Sequence, residues 1–374
     1  MESTKEIFSK LQNICGNKNV LFYSLDISDY GKDETLSLQF SFDILVMPET
    51  ADEVSAILKA CNEYRIPVTP RGGGSGVSGG ALPVKGGIVL SLENLNRIID
   101  INEIDCYVVA EAGVITEDLC AAVEEKGLFF PVAPTSKHYS FIGGNVATNA
   151  GSIHSCKFGK TEDYVLNLEI VLPNGEIIWT GANVRKNSSG FDLTKLFVGS
   201  EGVFGIITKV VYRLLQKPES EILVLAGLNS LQNTLGALLA LRSCKITLST
   251  AEILCPNTLQ LTAGFLKEKL PFVNTDVNYH LLLGFQSSTG MRETDLALVA
   301  ETLEPFTDEE LLVGLTSSEK HELTKFRRKV GDALVSNGMT YRDIDACVPF
   351  SALHKYIAKI EEIEIGRASC RERV

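Results

Sequence analysis

Residues 70–80, PRGGGSGVSGG, limit what this chain can fold into more than any other stretch, because so many glycines cannot continue a helix or a strand. Gly74, Gly76 and Gly79 within them have the G-x-G-x-x-G spacing of dinucleotide-binding turns. The spacing alone identifies no ligand, since a chain with 31 glycines also produces it in ordinary turns. The surrounding residues therefore have to decide what the loop does.

The residues that follow exclude two interpretations of this loop. In nicotinamide-binding folds a helix begins directly after the third glycine, whereas Pro83, Gly86 and Gly87 oppose a helix here. A Walker A loop is excluded because no Gly-Lys-Ser/Thr closes the pattern. The sequence therefore predicts a loop that leads into a strand near residues 88–92.

The composition is that of a globular protein with two or three domains. The chain has 374 residues, of which 45% are hydrophobic, enough to fill a sizeable core. A formal net charge of -12 argues against a nucleic-acid partner, because such proteins usually carry a basic surface for the phosphates. No secretory signal and no membrane-spanning apolar run is present in the sequence. We expect a cytoplasmic protein, either free or peripheral to a membrane through a partner.

The cysteines and histidines give no sign of a disulfide framework or a metal site. The nine cysteines contain no C-x-x-C pair, a pattern typical of reduced and mostly buried thiols. The five histidines contain no H-x-x-x-H pair, so we expect no metal site within this chain.

Hydrophobic patterning predicts alternating strands and helices in the first half of the chain. Residues 42–47 have the composition of a buried strand, and Thr50 with Glu53 forms a capping box that starts a helix. The apolar stripe of this helix consists of Val54, Ile57, Leu58 and Cys61. We further expect a strand at residues 107–113, a helix at 116–127, a hairpin turning at 174–175 and a strand at 205–215.

The order of elements changes after residues 217–218, which we take as a domain boundary. Strands are expected at residues 221–226, 248–254, 279–285 and 311–314, and helices at 231–242 and 293–301. Two strand-helix-strand units of this kind predict a separate two-layer α+β domain.

Two further segments of the first domain, residues 141–152 and 196–208, share the glycine-rich, small polar composition of residues 70–80. Glycines let several backbone N–H groups converge on an anion without a helix. Arg71 would add a cation that suits a diphosphate. An ordinary turn explains any one of these segments, but three in one domain favour a shared ligand.

In this order and spacing, the three segments resemble the FAD-binding domain of the vanillyl-alcohol oxidase and p-cresol methylhydroxylase superfamily, above all its glycolate oxidase and D-lactate dehydrogenase branch. The resemblance extends from about Tyr30 to about Ile363. It implies an α+β fold in which residues 1–37 are an N-terminal segment and residues 38–216 are a two-part FAD-binding domain of the p-cresol methylhydroxylase type. Residues 217–363 are then a C-terminally truncated, ferredoxin-like α+β substrate or cap domain.

Residues 364–374 differ in character from what precedes them and resemble the translation of a sequencing-adapter oligonucleotide. We expect them to be an artefact, so that the natural chain continues past Ile363. A real basic tail is the alternative.

The resemblance also implies which residues bind FAD. Backbone N–H groups of the first loop would hold the pyrophosphate, the middle segments would follow the flavin and ribityl chain, and the third segment would line the adenosine side. Asn145, Thr148 and Asn149 could hydrogen-bond flavin heteroatoms, and local turn stabilisation is the alternative for Asn145 and Asn149. The full set is Arg71, Gly72, Gly73, Gly74, Ser75, Gly76, Val77, Pro134, Thr135, Ser136, Gly143, Gly144, Asn145, Thr148, Asn149, Gly151, Glu201, Gly202, Gly205 and Ile206.

Family members that attach FAD covalently use a histidine in the pyrophosphate loop or a cysteine before the second segment. The corresponding positions here are Ser75 and Ala133, neither of which can form the link. Non-covalent FAD is therefore expected. The chain also departs from the family pattern at Ser152, where relatives have a second glycine, and at Val203 and Phe204.

The activity implied by the resemblance is oxidation of a small-molecule D-2-hydroxy acid, like glycolate or D-lactate, to the 2-oxo acid with hydride transfer to flavin N5. Residues 323–330, LTKFRRKV, resemble a family segment whose arginine binds the substrate carboxylate, which points to Arg327. Relatives carry tryptophan where Thr324 stands, and a solvated helix face for Arg327 and Arg328 is the alternative. No catalytic base is assigned, because the family keeps it, often with a divalent metal, beyond Ile363.

Two other classes of function stay open. One is a flavin-binding subunit without its own turnover in a multi-subunit oxidase, where a separate electron acceptor or iron-sulfur subunit would be the partner. The other is a flavoenzyme of the same fold with another substrate, such as an alkyl-glycerone-phosphate synthase, which would need a more basic phosphate pocket in its second domain.

Overall fold

The computed structural model describes residues 2–35, 37–270, 277–307, 309–338, 346–363 and 371–373. The chain divides into two compact units, the first made of Met1–Ser152 and Phe158–Lys217, the second of Ile153–Lys157 and Pro218–Val374. The division after Lys217 lies one residue from the expected domain limit, and the N-terminal segment belongs to the first unit.

The first unit contains two larger sheets and the helices that cover them. Its helices are α1 (Glu2–Cys15), α2 (Ala51–Tyr64), α3 (Thr116–Glu124), α4 (Ile142–Ala147) and α6 (Leu193–Phe197). The short α5 (Ser155–Phe158) belongs to the second unit except for its last residue. Its strands are β1 (Val20–Phe22), β2 (Ile44–Val46), β3 (Val68–Arg71), β4 (Ile88–Ser91), β5 (Ile98–Asn102), β6 (Tyr107–Glu111), β7 (Leu128–Phe129), β8 (Val165–Val171), β9 (Ile177–Trp179), β10 (Ile206–Arg213) and β11 (Leu215–Gln216).

The first sheet has the order β1-β2-β4-β3, with parallel pairing of β4 to both β2 and β3. The second has the order β5-β6-β10-β8-β9 and is antiparallel, while β7 and β11 form a separate pair. All residues of β2 and β4 are buried, as expected for parallel strands covered on both faces. Two sheets in one unit agree with the expected two-part domain.

Helix α2 begins at the predicted N-cap, but the second bond of the predicted capping box runs to the Glu49 N–H and not to that of Thr50. The Thr50 side chain accepts a hydrogen bond from the Glu53 backbone N–H, and the Glu53 carboxylate accepts one from the Glu49 N–H at 2.6 Å. The four apolar positions of the predicted stripe are buried in the core. The predicted hairpin is confirmed as well, with Gly175 in the left-handed region at its turn.

Residues 72–87 form a loop that opens no helix and leads into β4. Position 87 requires glycine, because its φ is +74° and a Cβ there would collide with the Pro67 carbonyl. The close approach of the backbone at Gly87 to Pro67 sets β4 beside β3. The exclusion of a nicotinamide-type turn is therefore confirmed.

The second unit is built on one antiparallel sheet of order β15-β12-β14-β13-β16. Its strands are β12 (Ser220–Leu228), β13 (Leu248–Leu254), β14 (Tyr279–Ser287), β15 (Leu312–Gly314) and β16 (Arg371–Arg373). Its helices are α7 (Leu231–Arg242), α8 (Pro256–Leu266), α9 (Glu293–Leu303), α10 (Ser317–Arg328), α11 (Val330–Ser336) and α12 (Leu353–Ile363). The first four strands have the spatial order 4-1-3-2, which confirms the ferredoxin-like fold.

Both faces of this sheet carry apolar side chains. On one face, Val224 and Leu283 join a core cluster that includes residues of α7 and α9. On the other, Leu225 and Leu282 join a cluster that includes residues of α8 and α10. The alternation follows from the two-residue period of a strand.

Among the described residues, no helix is long and apolar enough to cross a bilayer. Of the cysteines in this part of the chain, only Cys15 and Cys61 are buried, whereas Cys156 and Cys347 are exposed. The expectation of mostly buried thiols is therefore wrong.

Candidate functional site

The three glycine-rich segments, far apart in sequence, come together in the first unit. The Glu201 N–H donates to the Ala147 carbonyl at 2.8 Å, which joins the third segment to the second. A Cβ at Gly72 would lie 3.6 Å from the Gly144 Cα, and one at Gly202 would lie 2.7 Å from the Pro70 side chain. Close backbone approach of this kind is what glycine permits.

The first loop presents a row of open backbone donors. In the part of the chain that the structure describes, no hydrogen bond uses the backbone N–H of any residue from 72 to 80. Residues 72–76 are half-buried, whereas Val77, Ser78 and Gly80 are exposed. Buried backbone N–H groups are normally paired, so the half-buried part of the row suits a ligand rich in acceptor oxygens. Gly74 and Gly79 have φ of +69° and +81°, which turns successive N–H groups in ways an L-residue rarely allows.

Two glycines of the site face open space. Among the described residues, and apart from chain neighbours and the backbone of the same helix, a Cβ at Gly76 or Gly144 would meet no protein atom within 4 Å. By contrast, a Cβ at Gly143 would lie 2.5 Å from the Ala112 Cβ. Packing against protein therefore explains Gly143 but not its neighbour, as expected if a ligand lies beside Gly144.

Non-glycine residues with left-handed backbone also occur in these segments. Asn149 has φ of +50° and Glu201 has φ of +51°. Such residues are uncommon and cluster at functional sites, where the surrounding structure holds them in place. Hydrogen bonds from Gly199 N–H to the Val146 carbonyl and from Ala150 N–H to the Asn145 carbonyl fix the adjoining backbone.

The polar side chains of the second segment already have protein partners. Asn145 is buried and donates to the Thr116 hydroxyl at 2.8 Å. Thr148 donates to the Gly144 carbonyl at 3.0 Å, and the Asn149 side-chain oxygen accepts from the Glu162 N–H at 3.0 Å. Asn145 and Asn149 are thus bonded to residues outside their own segment, whereas Thr148 is bonded within it.

The remaining predicted positions lie in the three glycine-rich segments or in the turns and strands next to them. Residues 134–136 form a turn that continues to Tyr139. A Cβ at Gly73 would collide with the Tyr139 carbonyl. Gly205 packs against Ile170, where a Cβ would lie 2.6 Å from the side chain, and Ile206 is buried in β10. Gly151 is paired with Lys160 through an isolated bridge.

Arg71 and the positions of covalent attachment in relatives have clear places. The Arg71 guanidinium lies against Gly74 and donates to the Lys32 carbonyl at 2.6 Å. Burial lowers its pKa, an effect opposed first by the Asp33 carboxylate. Ser75 is a half-buried residue of the loop, and Ala133 packs against the core.

In the second unit, Arg327 lies at the end of α10 with 3% of its surface exposed. Its guanidinium donates twice to the Glu252 carboxylate of β13, at 2.5 Å for both contacts. The alternative that Arg327 lies on a solvated helix face is therefore wrong, although it holds for the exposed Arg328. Bidentate pairing fixes the guanidinium in one orientation.

A polar cluster beside this pair was missed from the sequence. His154 contacts the Thr250 hydroxyl at 3.0 Å and the Glu221 carboxylate at 3.7 Å, and Lys157 donates to Gln286 at 3.0 Å. Burial lowers the pKa of His154, while the Glu221 charge raises it. The sequence signal that could have pointed to this cluster is the position of His154, which directly follows the second glycine-rich segment.

His321 and His354, the two histidines nearest to the end of the second unit, are both exposed. Within the described ranges, no group of three or more His, Cys, Asp or Glu side chains is placed to hold a metal ion.

Replacing Glu252 with Gln should lower the free energy of unfolding by about 3 to 5 kcal/mol, because a buried Arg327 would lose its charge partner. Urea denaturation measures the difference. The matched control is Asp332→Asn, which breaks the exposed pair with Lys329 and should change the free energy by less than about 1 kcal/mol. Equal stability of Glu252→Gln and the parent protein would contradict the buried pair.

Comparison with known proteins identifies families for both units. A model of an FAD binding domain matches residues 42–181, and a model of the C-terminal domain of FAD linked oxidases matches residues 217–366. The chain is 35% identical to the glycolate oxidase subunit GlcD of Bacillus subtilis (strain 168), over 96% of this chain and 76% of that protein. It is 30% identical to a D-lactate dehydrogenase of Anaerostipes hadrus, over 97% of this chain and 76% of the relative.

Solved structures show the same architecture. p-Cresol methylhydroxylase with substrate bound matches with a TM-score of 0.70 at 19% identity, over 87% of this chain and 69% of that chain. This likeness concerns the fold alone, whereas the sequence relatives and the family models concern descent. The chain therefore belongs to the family of FAD-linked oxidases.

Proposed function

We propose that this FAD-dependent oxidoreductase oxidises a D-2-hydroxy acid of the glycolate or D-lactate type to the 2-oxo acid. The observation that carries the proposal is the row of open backbone donors at residues 72–80, in contact with the two other glycine-rich segments. The choice of substrate class is supported by relatives whose names are glycolate oxidase subunit and D-lactate dehydrogenase.

In this proposal the backbone holds the cofactor. The N–H groups of residues 72–77 donate to the FAD diphosphate, whose oxygens are acceptors only. The Gly144 side of α4 lies along the flavin, where open space at this glycine admits a flat ring. When bound, FAD supplies the acceptor for the substrate hydride. The chain's own task is to bind and orient both partners.

Arg327 is the proposed ligand of the substrate carboxylate. A planar guanidinium matches the two oxygens of a carboxylate, and the Glu252 pair keeps it in one orientation before substrate arrives. No residue is assigned as the proton acceptor.

The proposed assembly follows from the relative that is a subunit by name. Electrons leaving the flavin would pass to a separate acceptor, either a small molecule or a partner subunit. A flavin-binding subunit without turnover remains the competing function, and failure of any D-2-hydroxy acid to bleach the bound flavin under anaerobic conditions would favour it.

Acid precipitation of the holoprotein should release all of its flavin into the supernatant, because Ser75 and Ala133 cannot form a covalent link. The absorbance of pellet and supernatant near the flavin bands measures the partition. Yellow flavin that stays in the protein pellet would contradict non-covalent binding.

Gly144→Ala should weaken FAD binding at least about tenfold, equal to ~1.4 kcal/mol, because the methyl group enters the space assigned to the flavin. The apoprotein should be as stable as the parent or gain about 0.5 to 1 kcal/mol, since alanine favours the helix. Titration of apoprotein with FAD gives the dissociation constant, and urea denaturation gives the stability.

The matched control is Gly143→Ala, whose methyl group would collide with Ala112. It should destabilise the apoprotein itself by about 1 to 3 kcal/mol. Unchanged FAD affinity in Gly144→Ala would mean that the flavin does not lie beside α4.

Arg327→Lys should raise the KM for a D-2-hydroxy acid about tenfold, or ~1.4 kcal/mol, because an ammonium group cannot replace the two-point contact. Flavin content should stay at the parent level. Steady-state kinetics and the flavin-to-protein absorbance ratio measure the two quantities. Arg328→Lys on the exposed side of the same helix is the control and should match the parent. Unaltered KM in Arg327→Lys would exclude it as the carboxylate ligand.

A further inference from the structure

The Arg71 side chain turns toward the N-terminal part of the chain. It donates to the main-chain carbonyls of Lys32 at 2.6 Å and Asp29 at 3.3 Å. Its guanidinium carbon lies 5.7 Å from the centre of the Tyr30 ring, within reach of a cation–π contact. All three contacts fall on residues 29–32, about 40 positions earlier in the sequence.

The same guanidinium also lies against the cofactor loop. A Cβ at Gly74 would collide with the Arg71 Nη2 atom. Glycine at this position therefore leaves room for the Arg71 side chain against the loop. A second tie runs in parallel, because the Glu34 N–H donates to the Gly76 carbonyl at 3.0 Å. Residues 29–34 are thus attached to the loop at two points.

Tyr30 is itself held in place. Its hydroxyl lies 2.9 Å and 3.1 Å from the two Glu93 carboxylate oxygens and donates to that group. Burial, followed by the Glu93 hydrogen bond, raises the pKa of Tyr30 to about 12, so the phenol stays a donor at physiological pH. The ring therefore offers Arg71 a fixed surface.

We propose that Arg71 is a positioning residue that clasps residues 29–34 to the loop at residues 72–76, and so sets the backbone donors that bind FAD. The inference rests on the proposed placement of the FAD diphosphate on that loop. Because two of its N–H groups are bonded to main-chain carbonyls, Arg71 acts on the cofactor through the backbone. By contrast, an arginine placed only as a counter-ion would direct its donors to the phosphate.

Coupling between the clasp and the cofactor has to be reciprocal. If the clasp raises FAD affinity by some factor, FAD closes the clasp by the same factor. FAD should therefore protect residues 29–34 from local opening, although the proposal places no FAD contact on these residues. Lys32 offers a probe, since about half of its side chain is exposed and trypsin cleaves after lysine.

The experiment compares the full-length protein with Arg71→Met, Arg71→Lys and Tyr30→Leu. Each is incubated with trypsin in the presence and absence of FAD, and cleavage after Lys32 is followed by mass spectrometry. FAD dissociation constants are measured on the same preparations. Arg213→Met is the matched control, because Arg213 makes a comparable cation–π contact with Tyr164, at 4.7 Å, outside the three glycine-rich segments.

In the parent protein and in Arg213→Met, FAD should slow cleavage after Lys32 at least about tenfold. In Arg71→Met and Tyr30→Leu, cleavage without FAD should be faster, FAD should protect less, and FAD should bind about tenfold more weakly. Arg71→Lys should change the cleavage rate and the FAD affinity in the same direction as Arg71→Met, because a single ammonium cannot bridge both carbonyls.

The Tyr30 variant decides between the clasp and a direct contact. If Tyr30→Leu binds FAD like the parent while Arg71→Met does not, and cleavage after Lys32 is unchanged, Arg71 acts directly on the phosphate and the inference is wrong. Failure of the proposed FAD placement is distinguishable, because FAD would then leave the hydrogen–deuterium exchange of residues 70–80 in the parent protein unchanged.

Discussion

In the described part of the chain, the backbone N–H groups of residues 72–80 have no protein acceptor, and the proposed function depends on them. Sheets and helices usually pair such groups internally. At residues 72–80 the chain instead leaves β3, turns through glycines, and returns only at β4. A ligand with many acceptor oxygens can complete these hydrogen bonds, and the other two glycine-rich segments lie against the same loop. We propose FAD as the ligand that completes them.

The surrounding elements serve to hold this loop in position. Parallel pairing of β3 with β4 fixes both ends of the loop, and the collision that any side chain at Gly87 would cause keeps the return strand close. Hydrogen bonds between residues 146–147 and residues 199–201 join the other two segments. The second unit supplies a different kind of group, a buried arginine held by a carboxylate. Cofactor binding by the backbone and substrate binding by a side chain are therefore separate tasks of separate units in the proposed function.

Much of the fold could be predicted because its signals are local. The N-cap at Thr50, the turn at Gly175 and the strand order of the second unit all follow from short patterns. Helix α8 was not expected, although Pro256 at its first position was a usable sign. The partners of Arg71 and Arg327 could not be predicted, because they lie 39 and 75 positions away in the sequence. Side-chain pairs at such distances are set by the fold and leave no trace in local spacing.

The central claim is that all three glycine-rich segments close on one FAD molecule. Hydrogen–deuterium exchange of the full chain, measured with and without FAD, tests it directly at the backbone amides. We expect slower exchange on FAD binding in peptides covering residues 70–80, 141–152 and 196–208. Bound FAD that leaves exchange at residues 70–80 unchanged would contradict the account.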